Sequence, residues 1–450
     1  MEETNELTLF LANLDEKQVP EAVYSRCKAL FLDWLASAYA SKKLHPIPLF
    51  EHFAQYMGPQ TGKATILVSE KSTSAYFAAF VNAACSHLVE QDDLHNSSVL
   101  HPATVVFPAA FAAAQDLDIS GKDFLLACIT GYEAGIRIGE FLGRSHYKIF
   151  HTTATVGTLA AAVAVGKLMK FSQSQFLHLI GTAGTQAAGL WEFLKDAADS
   201  KQLHTAKAAA NGLLAAYFTR DGLTGAQNIL QGRQGLAEGM SSDAQPEFLN
   251  DQLGQRWALL ETSFKYHASC RHTHPAADAL LMLMKKNALK FEDISEITAH
   301  VHQAAIDVLG LVTIPKTIHQ AKFSMGTVLG LIAVYADAGL DSFKKHALED
   351  DNVISIRDKV RMILDQEIDK NYPKKWLGKV TVKTKKNQVF SELVTDPKGD
   401  PLNTLTQQEL EEKFIKLCDF SGMFNEIERK KIIKNTWKLD QFSHVSELFN

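Results

Sequence analysis

The feature that most restricts the fold is the run Thr155 to Met169, rich in Ala, Gly and Val and interrupted by Lys167. It is short for a bilayer span, which needs roughly 20 apolar residues. Being apolar all round, it reads as a helix buried on every side, and such a helix requires other helices around it. The flanking sequence supplies them, since residues 5 to about 225 read as helix after helix. Pro20 sits in the first turn of one that includes Ala29-Leu30-Phe31-Leu32-Asp33-Trp34-Leu35-Ala36. Ser74 to Leu88 is a second buried helix, and Pro102 and Pro108 bracket the start of another running to Asp116. Ser120-Gly121-Lys122-Asp123 caps Phe124 to Leu142, a further capped helix begins near Ser172-Gln173-Ser174, and another spans Thr205 to Phe218. Small residues at Gly157, Ala161, Gly181, Gly184 and Gly189 allow close helix approach. No strand precedes these glycines and no Gly-Lys-Ser/Thr follows, so they form no phosphate loop.

The texture changes after Phe264. Ile294 to Val301 alternates and is β-branched, which predicts a strand. Leu377 to Val394 reads as a hairpin around Lys385-Lys386-Asn387-Gln388, and helices are expected at Pro275 to Lys285, Ser324 to Ala338 and about Val353 to Leu364. Asp396-Pro397-Lys398-Gly399-Asp400-Pro401 is a turn-rich exit, and Thr406-Gln407-Gln408-Glu409 is a capping box opening a return to helix. The expected plan is mainly α: a helical domain over 1–264, an inserted α+β domain over 265–402, and a helical return over 403–450.

Composition narrows the functional classes. A net charge of −5 with no Lys/Arg block gives no electrostatic case for nucleic acid. The acidic, polar start Met1-Glu2-Glu3-Thr4-Asn5 lacks the order of a signal peptide, and no segment suggests a membrane. Five scattered cysteines, Cys27, Cys85, Cys128, Cys270 and Cys418, argue for a reducing compartment, so a cytoplasmic protein is expected.

Chemistry-bearing residues concentrate in a few polar islands. Glu90-Gln91-Asp92-Asp93-Leu94-His95-Asn96-Ser97-Ser98-Val99-Leu100-His101-Pro102 packs carboxylates and imidazoles between two Ala-rich segments. Carboxylates this close raise one another's pKa, and a neighbouring histidine titrates near neutrality. His151 stands just before the long Ala/Gly helix, where a cap is the alternative role. Asp199-Ser200-Lys201-Gln202-Leu203-His204 is either a solvated connection or a place where Lys201 holds a carboxylate. The densest island is Lys265-Tyr266-His267-Ala268-Ser269-Cys270-Arg271-His272-Thr273-His274-Pro275, at the inferred domain seam. It admits a zinc site on His267, Cys270, His272 and His274, although the spacing matches no common pattern. It also admits a Cys–His nucleophile at Cys270, or a metal-free anion site with Arg271 on a carboxylate and His274 moving a proton. Asp93, His101, His151, Lys201, Arg271 and His274 together suit proton transfer α to a carboxylate, which needs no metal or organic cofactor if the substrate's own carboxylates supply activation.

These residues carry a resemblance. The chain resembles the MmgE/PrpD family, which includes 2-methylcitrate dehydratases, cis-aconitate decarboxylases and iminodisuccinate epimerase. The matching segments are Glu90-Gln91-Asp92-Asp93 with His101-Pro102, Phe150-His151 with Val156-Gly157-Thr158-Leu159, Lys201 with Leu203-His204, Lys265 through His274, and Ala321-Lys322-Phe323-Ser324. The resemblance implies a large all-α domain built from both ends of the chain, a smaller α+β lid, a homodimer and a metal-free site between the domains. Its catalytic residues fall on Asp93, His101, His151, Lys201 and His274, with Arg271 as the substrate-carboxylate contact; Lys201, His151 and His204 complete the expected substrate-binding set. Decarboxylase-like members carry a Tyr shortly after the Phe-Ser pair, where this chain has Met325-Gly326-Thr327. The expected activity is a cofactor-independent lyase of a small di- or tricarboxylate. A 2-methylcitrate-type dehydratase comes first, a dicarboxylate epimerase or a cis-aconitate decarboxylase next, and a carboxylate-binding scaffold is the non-enzyme alternative.

Overall fold

The computed structural model describes residues 2–196 and 198–449. The protein is mainly α. The Thr152–Leu168 helix is buried along its length except at Lys167, whose ammonium donates to the Leu11 and Ala12 carbonyls at 2.9 and 3.1 Å. Around it pack the helices Ala103–Asp116, Gly121–Tyr147, Gln173–Gly184 and Ser200–Arg220. The contacts depend on absent side chains. A Cβ on Gly135 would stand 2.6 Å from the Ala160 Cβ, and one on Gly212 would stand 2.7 Å from the Thr158 carbonyl oxygen. Two of the expected helix-contact glycines act differently: Gly181 and Gly184 receive Ala226 and Ile229 of a connecting segment. Next to this bundle, Phe31 packs against Trp34, Phe107, Phe111 and Phe124 with ring centroids 5.2 to 5.8 Å away. Each such ring contributes about 1.5–3 kcal/mol by leaving water.

Local signals placed several helix starts. The Ser120 hydroxyl accepts the Asp123 N–H, and Ser172 with Gln175 and Thr406 with Glu409 form complete capping boxes. Three boundaries differ from expectation. Pro20 precedes its helix Glu21–Ala40 as the cap. Pro108 lies inside Ala103–Asp116 as its sixth residue, so the Thr104 carbonyl loses its usual helical donor. The helix expected from Thr205 begins at Ser200, which puts Lys201 and His204 in its first turns. A short hairpin of Ala64–Ile66 and Lys71–Thr73 was not expected.

Beyond Phe264 the expected strand Ile294–Val301 and hairpin strands Gly378–Thr384 and Val389–Val394 are present. They form a four-stranded sheet ordered Val360–Leu364, Ile294–Val301, Gly378–Thr384, Val389–Val394, with Ala299 opposite both Met362 and Val380. The first pair is parallel and the others antiparallel. The edge strand corrects the helix expected up to Leu364, since that helix is Asp351–Arg357 and ends before the strand. Val360-Arg361-Met362-Ile363-Leu364 is partly exposed on both faces, so it lacks the alternation that marks a half-buried strand. After Pro401 the chain returns, and Gln407–Ser421 packs on Glu21–Ala40. Among the described residues no helix is long and apolar enough to cross a membrane.

Candidate active site

The site is built on the loop between Ala75–Leu88 and Ala103–Asp116. Its first residue after the turn, Glu90, has φ 59, a left-handed conformation that costs a non-glycine residue roughly 1–2 kcal/mol. Ion pairs hold it there. The Glu90 carboxylate accepts from the Lys201 ammonium on one oxygen and from Lys265 Nζ on the other at 2.8 Å. Asp92 Oδ2 lies 2.8 Å from His87 Nδ1 and 2.8 Å from His101 Nδ1, and Asp92 Oδ1 lies 3.8 Å from Lys265 Nζ. His101 Nδ1 also donates to the Asp93 carbonyl oxygen at 2.6 Å. Facing two oxygens, Nδ1 carries the ring proton, which leaves Nε2 as the open lone pair. The His101 side chain is 15% exposed whereas Asp92 is fully buried, so this Nε2 edge is where a small molecule can reach the cluster.

The electrostatics follow from burial and charge count. Burial opposes ionisation of Glu90, yet Lys201 and Lys265 outweigh it and hold the carboxyl well below the usual range. Asp92 is likewise held well below its usual value against burial, by Lys265, His87 and His101. Burial drives His87 down to about 4, with Lys201 adding to the effect, so this ring is neutral. A third ammonium, Lys322, donates to the Val89 carbonyl at 2.9 Å, and burial lowers it to about 7. Lys201, Lys265 and Lys322 thus outnumber the carboxylates Glu90 and Asp92 by one. A buried surplus cation is costly unless an anion joins it. Lys413, from the returning C-terminal helix, donates to the Gln91 and Lys265 carbonyls, both at 2.8 Å, and pairs with Asp33 at 2.6 Å. It therefore clamps the backbones on either side of the cluster.

The expected site residues divide into two groups. His101, Lys201 and His151 belong to the cluster. His151 caps the Thr152–Leu168 helix, stacks over His87 at 5.5 Å between ring centroids, and contacts Trp191 at 4.7 Å. Its Nδ1 lies 3.2 Å from His204 Nδ1, so His204 supports it from behind.

Asp93, Arg271 and His274 are placed differently from expectation. The Asp93 carboxylate turns away from His101: it accepts the Tyr132 hydroxyl at 2.8 Å and the Ala103 N–H at 3.0 Å, and burial raises it well above the carboxylate range. The carboxylate beside His101 is Asp92. Arg271 is already paired with Asp400, which also accepts from Ser263, so its charge is spent within the protein. Both nitrogens of His274 are engaged, with Arg271 Nη1 at 3.1 Å from Nδ1 and Nε2 donating to the Ser269 carbonyl at 3.3 Å. In this arrangement His274 buttresses Arg271 and offers no free nitrogen for proton transfer.

The remaining alternatives of the Lys265–Pro275 island can be weighed in the same way. His267 pairs with Asp278 at 2.9 Å and His272 faces His302, so His267, Cys270, His272 and His274 do not converge on a common point. Burial pushes the Cys270 thiol up to about 11, which suppresses the thiolate a nucleophile requires. His95 reaches Ser98 at 2.9 Å and Glu261 at 3.4 Å, away from the cluster. Among the described residues, His87, Asp92 and His101 are close enough to share a cation, as are His95, Glu140 and Glu261. Lys265 beside the first set and Arg256 within the second, at 2.8 Å from Glu140, already supply positive charge. Sequence reasoning missed His87, Asp92, Lys265 and Lys322 as site members. Lys265 and Lys322 stood inside the matching segments, whereas His87 carried no signal beyond lying five residues before Asp92.

Comparison with known proteins identifies the family. The sequence model of the MmgE/PrpD N-terminal domain matches residues 5–249, and that of the MmgE/PrpD C-terminal domain matches residues 267–439. The chain is 28% identical to a cis-aconitate decarboxylase-like protein, oryM, of Aspergillus oryzae, over 99% of this chain and 96% of that one. It is 26% identical to a cis-aconitate decarboxylase of Aspergillus terreus, covering 88% and 85% of the two chains. A cis-aconitate decarboxylase of Homo sapiens is 24% identical, covering 95% and 90%. With both halves matched in order along nearly its whole length, the chain belongs to the MmgE/PrpD family.

Proposed function

We propose that the protein is a lyase that moves a proton α to a carboxylate of a small di- or tricarboxylate, using its own side chains and no cofactor. The observation that carries this reading is the surplus buried cation beside the open Nε2 of His101. Lys322, which has no carboxylate partner among the described residues, takes a substrate carboxylate with the Glu90-paired Lys201 and Lys265 beside it, and His101 Nε2 receives or delivers the proton. Asp92, fixed on Nδ1, stabilises the imidazolium that forms. His87 and His151 line the same wall. The stretch 265–402 serves as the lid, and the active form is a cytoplasmic homodimer.

Among the possible reactions we place decarboxylation of a cis-aconitate-like tricarboxylate first, because the relatives with near-complete coverage carry that name. In it, carbon dioxide leaves, its bonding electrons stay on the substrate, and His101, having first taken a proton from solvent on Nε2, passes it to that carbon. Thr327 favours a second reading, dehydration or epimerisation. It is fully buried in the first turn of Met325–Tyr335 and is too short to act as the phenol of decarboxylase-like members. The test is incubation of the purified protein with cis-aconitate, citrate, 2-methylcitrate and iminodisuccinate in D₂O. Carbon dioxide release marks decarboxylation, a new ultraviolet-absorbing double bond marks dehydration, and deuterium wash-in without net change marks epimerisation. Turnover of none of them, or turnover unchanged in His101→Ala, refutes the reading.

A further inference from the structure

Next to the Cys270–His274 turn, a group of buried rings carries a hydrogen-bond chain whose direction is fixed. It begins at the helix Gln303–Leu309, where His302 is the N-cap and its Nδ1 accepts the Ala305 N–H at 3.2 Å. Burial lowers His302 to about 3, so the ring is neutral and its proton resides on Nε2. That Nε2 lies 3.4 Å from His272 Nδ1, which makes His272 Nδ1 the acceptor. His272 is also neutral: burial holds it well below its usual value, with His302, Lys265, Arg271 and His101 adding positive potential. Its proton therefore sits on Nε2.

Neither ring can turn freely. His272 stacks on Trp376 with centroids 4.7 Å apart and planes at 15°, and His302 stacks on Tyr372 at 3.9 Å and 14°. His272 is 3% exposed, and its Nε2 has no hydrogen-bond partner among the described residues. Buried donors are nearly always paired, so an oriented and unpaired N–H calls for an acceptor from outside the chain. The turn that holds His272 belongs to the site, because the Cys270 N–H donates to the Lys322 carbonyl at 2.9 Å and Lys322 in turn grips the Glu90 loop through Val89.

We propose that the His272 Nε2–H is a substrate-binding donor that recognises a carboxylate or carbonyl oxygen of the bound polycarboxylate, with His302 as the positioning residue that sets its tautomer. The proposal rests on the carboxylate reading above. A donor that cannot become an acceptor favours an oxygen at that position and disfavours an amide nitrogen or ammonium group, so it acts on specificity as well as affinity. His101 then handles the proton while His272 helps to fix which end of the substrate faces it.

The experiment uses ¹⁵N-imidazole-labelled full-length protein, with the His272 signals assigned by their loss in His272→Phe, which preserves a ring for the stack on Trp376. The expected free-state spectrum shows His272 protonated on Nε2 between pH 6 and 8. Its proton signal moves downfield on titration with tricarballylate, an unreactive tricarboxylate. His272→Phe is expected to raise the tricarballylate Kd about tenfold or more, as for loss of a hydrogen bond to a charged group. His302→Phe is expected to let an Nδ1-protonated His272 form appear, a change that a merely structural role would not produce. An Nδ1-protonated His272 in the wild type overturns the proposal, as does tricarballylate binding that leaves the His272 signal unmoved. Should His272→Phe fail to fold, His272→Gln supplies the assignment, and the wild-type titration then decides the matter. Calorimetry separates the two readings: binding without a His272 response refutes this inference alone, and absence of any polycarboxylate binding refutes both.

Discussion

The two adjacent aspartates give the sharpest test of the site, because they are one residue apart and do opposite things. Asp92 Oδ2 stands 2.8 Å from His101 Nδ1 and is held ionised, whereas Asp93 is turned toward Tyr132 and held toward its neutral form. A unit charge at that distance from an imidazolium, at an effective dielectric of about 20, is worth about 6 kcal/mol. An amide dipole in Asp92→Asn recovers part of that, leaving a loss of about 3–5 kcal/mol in the transition state, or about 10²–10⁴ in kcat. Asp93→Asn removes little charge and keeps an oxygen for one of its two donors, so its activity should fall by less than about tenfold. Both variants are compared with wild type by initial rates on whichever polycarboxylate the protein turns over, with thermal unfolding as the control for fold. Equal crippling of both variants, or an Asp92→Asn enzyme within tenfold of wild type, refutes the assignment of Asp92 as the partner of His101.

Three further outcomes are expected. Lys322→Met should weaken tricarballylate binding by about 10- to 100-fold in calorimetry, the value of a hydrogen bond to a charged group, while leaving the helix bundle intact; unchanged affinity removes Lys322 from the binding set. Unfolding by urea should become easier as pH falls below about 6.5, because His87, His151, His272 and His274 have folded-state pKa values depressed by burial. Each such ring is neutral in the fold and binds protons first when unfolded, at about 1.4 kcal/mol per pH unit below its ordinary value. Glu90 and Asp92, also depressed, add their loss below about pH 4.5, while Asp93, raised in the fold, works in the opposite direction; a urea midpoint flat from pH 7 to 5 contradicts this. Finally, Gly212→Ala should lower stability by about 1–3 kcal/mol in thermal melts, since its Cβ would fall 2.7 Å from the Thr158 carbonyl on the neighbouring helix.

The parts of the fold that announce themselves locally were legible. Capping residues such as Ser120, Ser172 and Thr406 act within a turn, and the alternation of Ile294–Val301 reports one buried face. The edge strand Val360–Leu364 was not legible, because its definition lies in its pairing with Ile294–Val301 and not in its own pattern. The site shows the same division. The Glu90–His101 stretch identified itself by composition, but which aspartate faces His101 is settled by the backbone turn at Glu90 and by Lys265, 175 residues on. Arg271 looked free for substrate because its partner Asp400 lies 129 residues away. His87 and Lys322 read as ordinary helix and loop residues until the fold brought them under the same loop.

Lys413 has a consequence for how the enzyme is made. Its ammonium joins the backbone carbonyls of Gln91 and Lys265 and reaches Asp33 on the Glu21–Ala40 helix. A nascent chain halted before the Gln407–Ser421 helix would already contain every side chain assigned here to chemistry, yet it would lack the clamp that sets the two halves of the site side by side. The side chains assigned to chemistry are thus synthesised before the residue that aligns them, and the site is expected to form only once the Gln407–Ser421 helix has docked on Glu21–Ala40.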